Sequence, residues 1–87
     1  MINWEPVCKE LGAHLAKCRR KNGMTQTDVA KNSGEFTPQF ISNIERGGII
    51  PLYVLSQLAV IYDLNPKTLS KKISKLFEKE LLRELSE

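Results

Sequence analysis

The sequence predicts an all-α protein with five helices, and two kinds of local signal support that prediction. Apolar residues recur every three or four positions along most of the chain, the spacing that lines one face of an α-helix. Threonine or asparagine stands at three expected helix starts, followed by proline or an acidic residue, and glycine stands at two expected ends. We expect the helices at residues 6–22, 25–32, 37–46, 51–62 and 66–86, in one domain spanning residues 1–87.

The first helix is predicted from Pro6 to Asn22. Proline suits the first turn of a helix, because its missing N–H group would have no partner there in any case. An apolar stripe follows at helical spacing, and Gly23 ends the helix. The stripe consists of Val7, Leu11, Leu15 and Cys18. Trp4, which precedes the helix, is expected to pack on the first or the last helix.

The second and third helices begin with complete N-terminal signals. Thr25 is a favourable N-cap, and Asp28 three residues later completes a capping box. Thr37 caps the third helix, and Pro38 occupies its first position. Gly47 follows as a C-terminal stop. We therefore expect two short helices joined by a tight bend, and the rest of the chain arranged around them.

The third helix separates apolar from polar side chains. Helical spacing places Phe40, Ile41 and Ile44 on one inward face. The opposite face carries amide, hydroxyl and guanidinium groups and no carboxylate; its residues are Gln39, Ser42, Asn43 and Arg46. In the major groove of DNA, glutamine and asparagine can pair with adenine, and arginine can pair with guanine. This face is a candidate for base readout, and the alternative is an ordinary solvated polar face.

The fourth helix is apolar on nearly every side, so we expect it to be covered on nearly every side. Asn65 and Pro66 start the fifth helix, whose inner stripe is predicted to be Leu69, Ile73, Leu76 and Phe77. More leucines follow that stripe, which favours a second copy of the chain as the partner of both helices. The alternative is that the fifth helix folds back over the fourth. The predicted interface residues are Leu52, Val54, Leu58, Ile61, Leu76, Leu81, Leu82 and Leu85.

Composition and charge argue against several classes of function. The chain has 13 Lys and Arg against 10 Asp and Glu, a net charge of +3 and a pI near 9.0, which mildly favours a polyanionic partner. No enzyme is predicted, because the chain has one histidine and shows no paired-carboxylate signature, phosphate loop or nucleophile elbow.

The two cysteines and the lengths of the apolar segments indicate which cofactors and which cellular location to expect. Cys8 and Cys18 are expected to be reduced thiols, and His14 with Cys18 offers too few ligands for a metal. No metal and no cofactor is therefore predicted, and no small-molecule effector is evident from the sequence. We find no signal-peptide pattern and no apolar run near the length of a membrane span, so we expect a cytoplasmic protein without a membrane partner.

A set of matching positions identifies a family resemblance. The matches are Leu11-Gly12, Leu15, Arg19, Gly23-Met24-Thr25-Gln26, Val29-Ala30 and Ile41-Ser42-Asn43-Ile44-Glu45-Arg46-Gly47. This pattern resembles the helix-turn-helix domain of phage repressors and Cro-like regulators, the xenobiotic-response-element-like family, over residues 7–69. The resemblance implies a compact five-helix repressor-like DNA-binding domain, here with an extended C-terminal helix.

The resemblance also implies roles for individual residues. Arg19 is expected to pair with Glu45 and to help hold the third helix. Gln26 is expected to contact a DNA phosphate and to support the same helix. Two departures from the family pattern are a bend one residue longer before the third helix and a segment one residue shorter after Gly47. Pro38 also stands where relatives often carry a hydrogen-bonding side chain.

Together these observations predict a sequence-specific DNA-binding transcriptional regulator, a repressor, that binds a pseudo-palindromic operator on double-stranded DNA as a homodimer. Gln39 and Asn43 are expected to read base edges, with Thr37 and Pro38 near them. The residues expected to contact phosphates are Gln26, Ser42 and Arg46. The alternative is a protein-interaction module, such as an antitoxin-like partner, that uses the same fold without reading DNA.

Overall fold

The computed structural model describes residues 1–86, and every regular element among them is a helix. The helices are α1 (Glu5–Lys21), α2 (Gln26–Ser33), α3 (Pro38–Glu45), α4 (Leu52–Ile61) and α5 (Pro66–Ser86). The all-α, five-helix prediction is confirmed. Each helix begins and ends within one residue of its expected position, which is within the usual variation in where helix ends are assigned.

One hydrophobic core joins all five helices. Its largest fully buried side chains are Leu15, Val29, Ile41, Ile44, Val54 and Leu58. α3 packs against both α1 and α2, while α4 packs on α2 and α5 packs mainly on α1. Because two helices hold α3 from behind, its inward face is fixed and its outward face is left free.

Part of the surface of α4 that was expected to face a second copy lies in the core instead. Val54 and Leu58, which were predicted to contact a second copy, are 0% and 1% exposed and lie in the core of this chain. Leu76 of α5, predicted for the same interface, is also buried. These three assignments are wrong, because these side chains already pack against this chain's own core. An apolar helix with almost no polar residue gives no periodicity from which to choose its inner side.

The opposite side of α4 is open to solvent. Leu52, Tyr53 and Val60 are 78%, 57% and 80% exposed. Beside them a groove of about 540 Å³ runs between α4 and α5, with Leu55, Ala59, Leu69 and Ile73 in its lining. Since α5 packs mainly on α1, it does not cover this side of α4.

The distal half of α5 extends past the core. Trp4 packs on this last helix, where its ring stacks on that of Phe77 with centroids 5.7 Å apart. Phe77 was predicted for the inner stripe, but it is 40% exposed and faces the N-terminal segment, because the core ends near Leu76. Leu82 and Leu85 farther along are also exposed. Among residues 1–86, no helix is long and apolar enough to cross a membrane.

Candidate nucleic-acid interface

The start of α2 is fixed by the capping box around Thr25. The Thr25 hydroxyl accepts a hydrogen bond from the Asp28 N–H at 3.0 Å, and the Asp28 carboxylate accepts one from the Thr25 N–H at 2.8 Å. Two hydrogen bonds with Thr25 lower the pKa of Asp28 below its usual value. The bond from the Thr25 backbone N–H has the larger effect, and the bond with the Thr25 side chain has the smaller one. This reciprocal pair holds the first turn of α2 in place.

The bend between α2 and α3 has its own hydrogen bonds. Gly34 adopts a left-handed conformation with φ of 67°, which ends α2. The Ser33 hydroxyl donates to the Ala30 carbonyl at 2.8 Å and accepts from the N–H groups of Glu35 and Phe36. The orientation of α3 relative to α2 is therefore set by local contacts as well as by the core.

The first turn of α3 is capped as the sequence predicts. The Thr37 hydroxyl accepts from the Phe40 N–H at 3.0 Å, and Pro38 follows as the first helical residue. Thr37 and Pro38 are both exposed at the N-terminal end of α3. The inward side of the helix buries Ile41 and Ile44 almost completely.

The outward face of α3 carries a short chain of hydrogen-bonded side chains. Gln39, Asn43 and Arg46 are all exposed. The Asn43 side-chain oxygen accepts from Gln39 Nε2 at 3.2 Å and from an Arg46 guanidinium nitrogen at 3.0 Å. Ser42 lies beside them and is half-buried. The structure thus brings the predicted polar residues of α3 together on one accessible surface.

The one carboxylate of α3 is turned away from that surface. Glu45 accepts two hydrogen bonds from Arg19, at 2.7 Å and 3.1 Å, and a third from Gln26 at 3.0 Å. The Arg19 and Glu45 side chains are only 12% and 8% exposed. The Glu45 hydrogen bond raises the pKa of Arg19, so the guanidinium stays charged.

Arg19 also ties α1 to the segment that precedes α2. Its remaining guanidinium nitrogen donates to the Met24 carbonyl at 2.9 Å. Arg19 and Gln26 therefore link α1, the start of α2 and the end of α3 through one carboxylate. The structure brings together the three residues to which the family resemblance gives a supporting role.

The end of α3 turns tightly at two glycines. Gly47 has φ of 109°, and the Gly48 N–H donates to the Asn43 carbonyl at 2.9 Å. A Cβ at Gly48 would lie only 2.9 Å from the same carbonyl oxygen. This turn needs glycine at both positions, one for its backbone angle and one for the close approach.

Tyr62 is a neighbour of this site that helical spacing alone did not identify. It is 2% exposed, and within residues 1–86 its hydroxyl has no hydrogen-bond partner. Burial, and then the negative charge of Glu45, raise the pKa of Tyr62 to about 12. The apolar spacing of the fourth helix carries no information on the proximity of Tyr62 to Glu45.

His14 and Cys18, the two residues that the sequence analysis considered as metal ligands, are neighbours on α1. Cys18 Sγ and His14 Nε2 lie 3.7 Å apart on α1, and both cysteines are free. No group of three or more His, Cys, Asp or Glu side chains that could hold a metal occurs in the described part of the chain. Burial raises the pKa of the Cys18 thiol, which keeps it protonated near neutral pH.

Comparison with known proteins agrees with this geometry. The helix-turn-helix family model matches residues 15–69, which include α2, α3 and their connecting bend. One relative is y4dJ of Sinorhizobium fredii (strain NBRC 101917 / NGR234), described as an uncharacterized HTH-type transcriptional regulator. It is 42% identical over 53 residues, which cover 56% of this chain and 68% of the relative. No solved structure gives a significant match. The chain belongs to the Cro/C1-type helix-turn-helix family of DNA-binding transcription regulators.

Proposed function

We propose that this protein reads a specific DNA sequence with α3 and represses transcription by occupying that site. The observation that carries this proposal is the outward face of α3, where amide and guanidinium groups are exposed while Glu45 is held inward by Arg19 and Gln26. A surface without carboxylates can approach the phosphates that border the major groove. Amide groups in that groove can then reach base edges.

Each exposed residue of the α3 surface has a place in this proposal. Gln39 and Asn43 contact base edges, and Pro38 at the start of the helix can touch a thymine methyl group. Thr37 lies near these contacts. The residues that position the helix on phosphates are Gln26, Ser42 and Arg46.

We also propose that two copies bind together. Leu52, Leu82 and Leu85 were predicted to lie between copies, and all three are exposed in the single chain. The half-buried Ile61 and Leu81 stay in the proposed interface, and Val60 joins it because it is 80% exposed. A symmetric dimer would place two α3 helices in successive major grooves, about 34 Å apart on a pseudo-palindromic site. Duplex DNA as the ligand implies a cytoplasmic location.

The experiment that tests this function is selection of bound fragments from a random DNA pool. We expect enrichment of a pseudo-palindrome, and we expect its affinity to fall steeply with salt because binding releases counterions from phosphates. Failure to enrich any sequence at low ionic strength would overturn the proposal. A single, non-repeated site would overturn the dimer part alone.

A protein-interaction module is the second candidate. The observation in its favour is the exposed apolar surface of α4 and distal α5, with Leu52, Val60, Leu82 and Leu85 all more than half exposed. Salt dependence separates the two candidates, because an apolar protein interface responds little to ionic strength. Catalysis has no part in either candidate.

A further inference from the structure

The side-chain oxygen of Asn43 is fully used within the protein. It accepts from Gln39 Nε2 at 3.2 Å and from an Arg46 guanidinium nitrogen at 3.0 Å. An amide oxygen has two lone pairs, and these two donors occupy both. Asn43 therefore has no acceptor left to offer a base.

Arg46 fixes which end of the amide faces inward. Guanidinium nitrogens are donors only, so the Asn43 atom that faces Arg46 must be the oxygen rather than the NH₂ group. The same oxygen faces Gln39, so the Gln39 atom at that contact must be its NH₂ nitrogen. One arginine thus sets the orientation of two neighbouring amides on the reading surface.

The NH₂ group of Asn43 is left facing outward with two donors, and no residue between 1 and 86 accepts from it. We propose, building on the proposed function, that Asn43 reads DNA as a donor only and selects guanine. Guanine presents two acceptors, N7 and O6, in the major groove, whereas adenine presents one acceptor and one donor. An unconstrained asparagine pairs with adenine through one donor and one acceptor, and Asn43 lacks the acceptor.

Gln39 differs from Asn43 although both carry the same functional group. Only one of its two N–H donors is used, in the bond to Asn43, and its oxygen accepts no bond from the described residues. Gln39 retains a donor and an acceptor, which is the pair that adenine requires. The surface therefore has two amides with different base preferences.

The first test is to select bound DNA with the wild-type protein and with Asn43→Ala, and to find the base position where the preference disappears in the variant. We expect guanine at that position in the wild-type site. Replacing this guanine by 7-deazaguanine, which lacks the N7 acceptor, should weaken wild-type binding at least about fivefold and should not weaken Asn43→Ala. Adenine at that position, or equal weakening of both proteins, would overturn the inference.

Asn43→Asp is the second variant. It keeps an oxygen for Gln39 and Arg46 and replaces the outward NH₂ group by a carboxylate oxygen, which also adds a negative charge. We expect this variant to fold, as judged by circular dichroism, and to lose the guanine preference. If Asn43→Asp keeps that preference, Asn43 does not read DNA as a donor.

Failure of this inference can be told apart from failure of the proposed function. Binding to no duplex at all would remove both. Selective binding that Asn43→Ala leaves unchanged at every base position would remove only the donor role of Asn43.

Discussion

The backbone of α1 at Gly12 lies directly against the carbonyl oxygen of Ile44 in α3. A Cβ at position 12 would overlap that oxygen, and it would lie 3.2 Å from the carbonyl oxygen of Glu45. Glycine is therefore what allows α1 and α3 to approach this closely. Because α3 carries the polar face, this contact sets how far that face stands out from the rest of the protein.

We expect Gly12→Ala to destabilise the protein by about 1–3 kcal/mol, since the added methyl group must push α1 away from α3. Helix propensity alone predicts the opposite sign, because alanine is favoured over glycine by about 1 kcal/mol within a helix. Urea denaturation of the purified variant measures the difference. Ala13→Gly, at an exposed position of the same helix, is the control and should show only the propensity loss. A more stable Gly12→Ala variant would mean that the two helices are farther apart in solution.

Glu45→Ala should cost about 3–5 kcal/mol of the free energy of unfolding, because it leaves the nearly buried Arg19 guanidinium without its partner. It also removes the acceptor of the Gln26 amide. The double variant Arg19→Met with Glu45→Leu should lose less, because no uncompensated charge remains. Denaturation curves for both variants give the comparison. A loss below about 1 kcal/mol for Glu45→Ala would mean that the pair behaves like an exposed one.

Tyr62→Phe should raise stability near neutral pH by about 1 kcal/mol, because it removes a buried hydroxyl that has no hydrogen-bond partner among residues 1–86. The wild-type protein should also lose stability at alkaline pH. Unfolded tyrosine ionises near pH 10.0, whereas burial raises the pKa of Tyr62 to about 12 in the folded state. The folded state thus holds this proton more tightly than the unfolded state does. The resulting contribution to the free energy of unfolding is complete below pH 10.0 and is lost as the pH rises through about 12.

The alkaline loss is measured by urea denaturation from about pH 9 to about pH 12, a range that spans the interval between the unfolded and folded pKa values of Tyr62. The Tyr62→Phe variant should lose less stability over this pH range, because it has no Tyr62 hydroxyl to ionise. Tyr53→Phe is the control, because Tyr53 is 57% exposed, and it should decline as the wild type does. Identical pH profiles for Tyr62→Phe and the wild type would show that the hydroxyl does not stay protonated by burial.

The helix starts could be predicted because the interactions that make them act over three or four residues. The Asn65 side chain, for example, accepts from the N–H groups of Lys67 and Thr68, as its position before Pro66 suggests. The inner side of α4 could not be predicted in the same way, since Val54 and Val60 have the same side chain and opposite exposures. Which of them is buried depends on α2, against which α4 packs and which is separated from it in the sequence by α3.

The candidate site also has some features that local sequence predicts and others that only tertiary packing determines. Helical spacing placed Gln39, Asn43 and Arg46 on one face, and the structure has them in hydrogen-bond contact. The proximity of Tyr62 to Glu45 gave no local signal, because only the tertiary packing brings these two residues together. The pairing of Arg19 with Glu45 could be expected only through the family resemblance, since charges so distant in sequence have many possible partners.

Replacing Leu82 and Leu85 together by serine should weaken the proposed dimer at least about tenfold, because a leucine buried between two copies would contribute about 1.5–3 kcal/mol. Both side chains are exposed in the single chain, so the fold should persist. Light scattering over a range of protein concentrations gives the mass. Ser74→Glu, at an exposed polar position of α5, is the control and should leave the mass unchanged. A leucine variant that still has twice the monomer mass would place the interface elsewhere, with exposed Leu52 and Val60 as the next surface to test.

Gln39→Ala and Gln26→Ala should weaken DNA binding in different ways, although both remove the same amide. Gln39 is exposed on the outward face of α3, so its loss should relax the preference at one base position by about 1–3 kcal/mol. Gln26 is half-buried and donates to Glu45, so its loss should loosen α3 and weaken every sequence by a similar factor.

Affinities of both variants for the selected site and for each single-base variant of it provide the measurement. Neither substitution changes the charge of the protein, so the slope of log affinity against log salt should stay at the wild-type value in both. This common slope separates loss of base contacts from loss of phosphate contacts by charged residues. If Gln39→Ala weakened all sites equally, Gln39 would be a positioning residue, and base readout by α3 would rest on Asn43 and Pro38 alone.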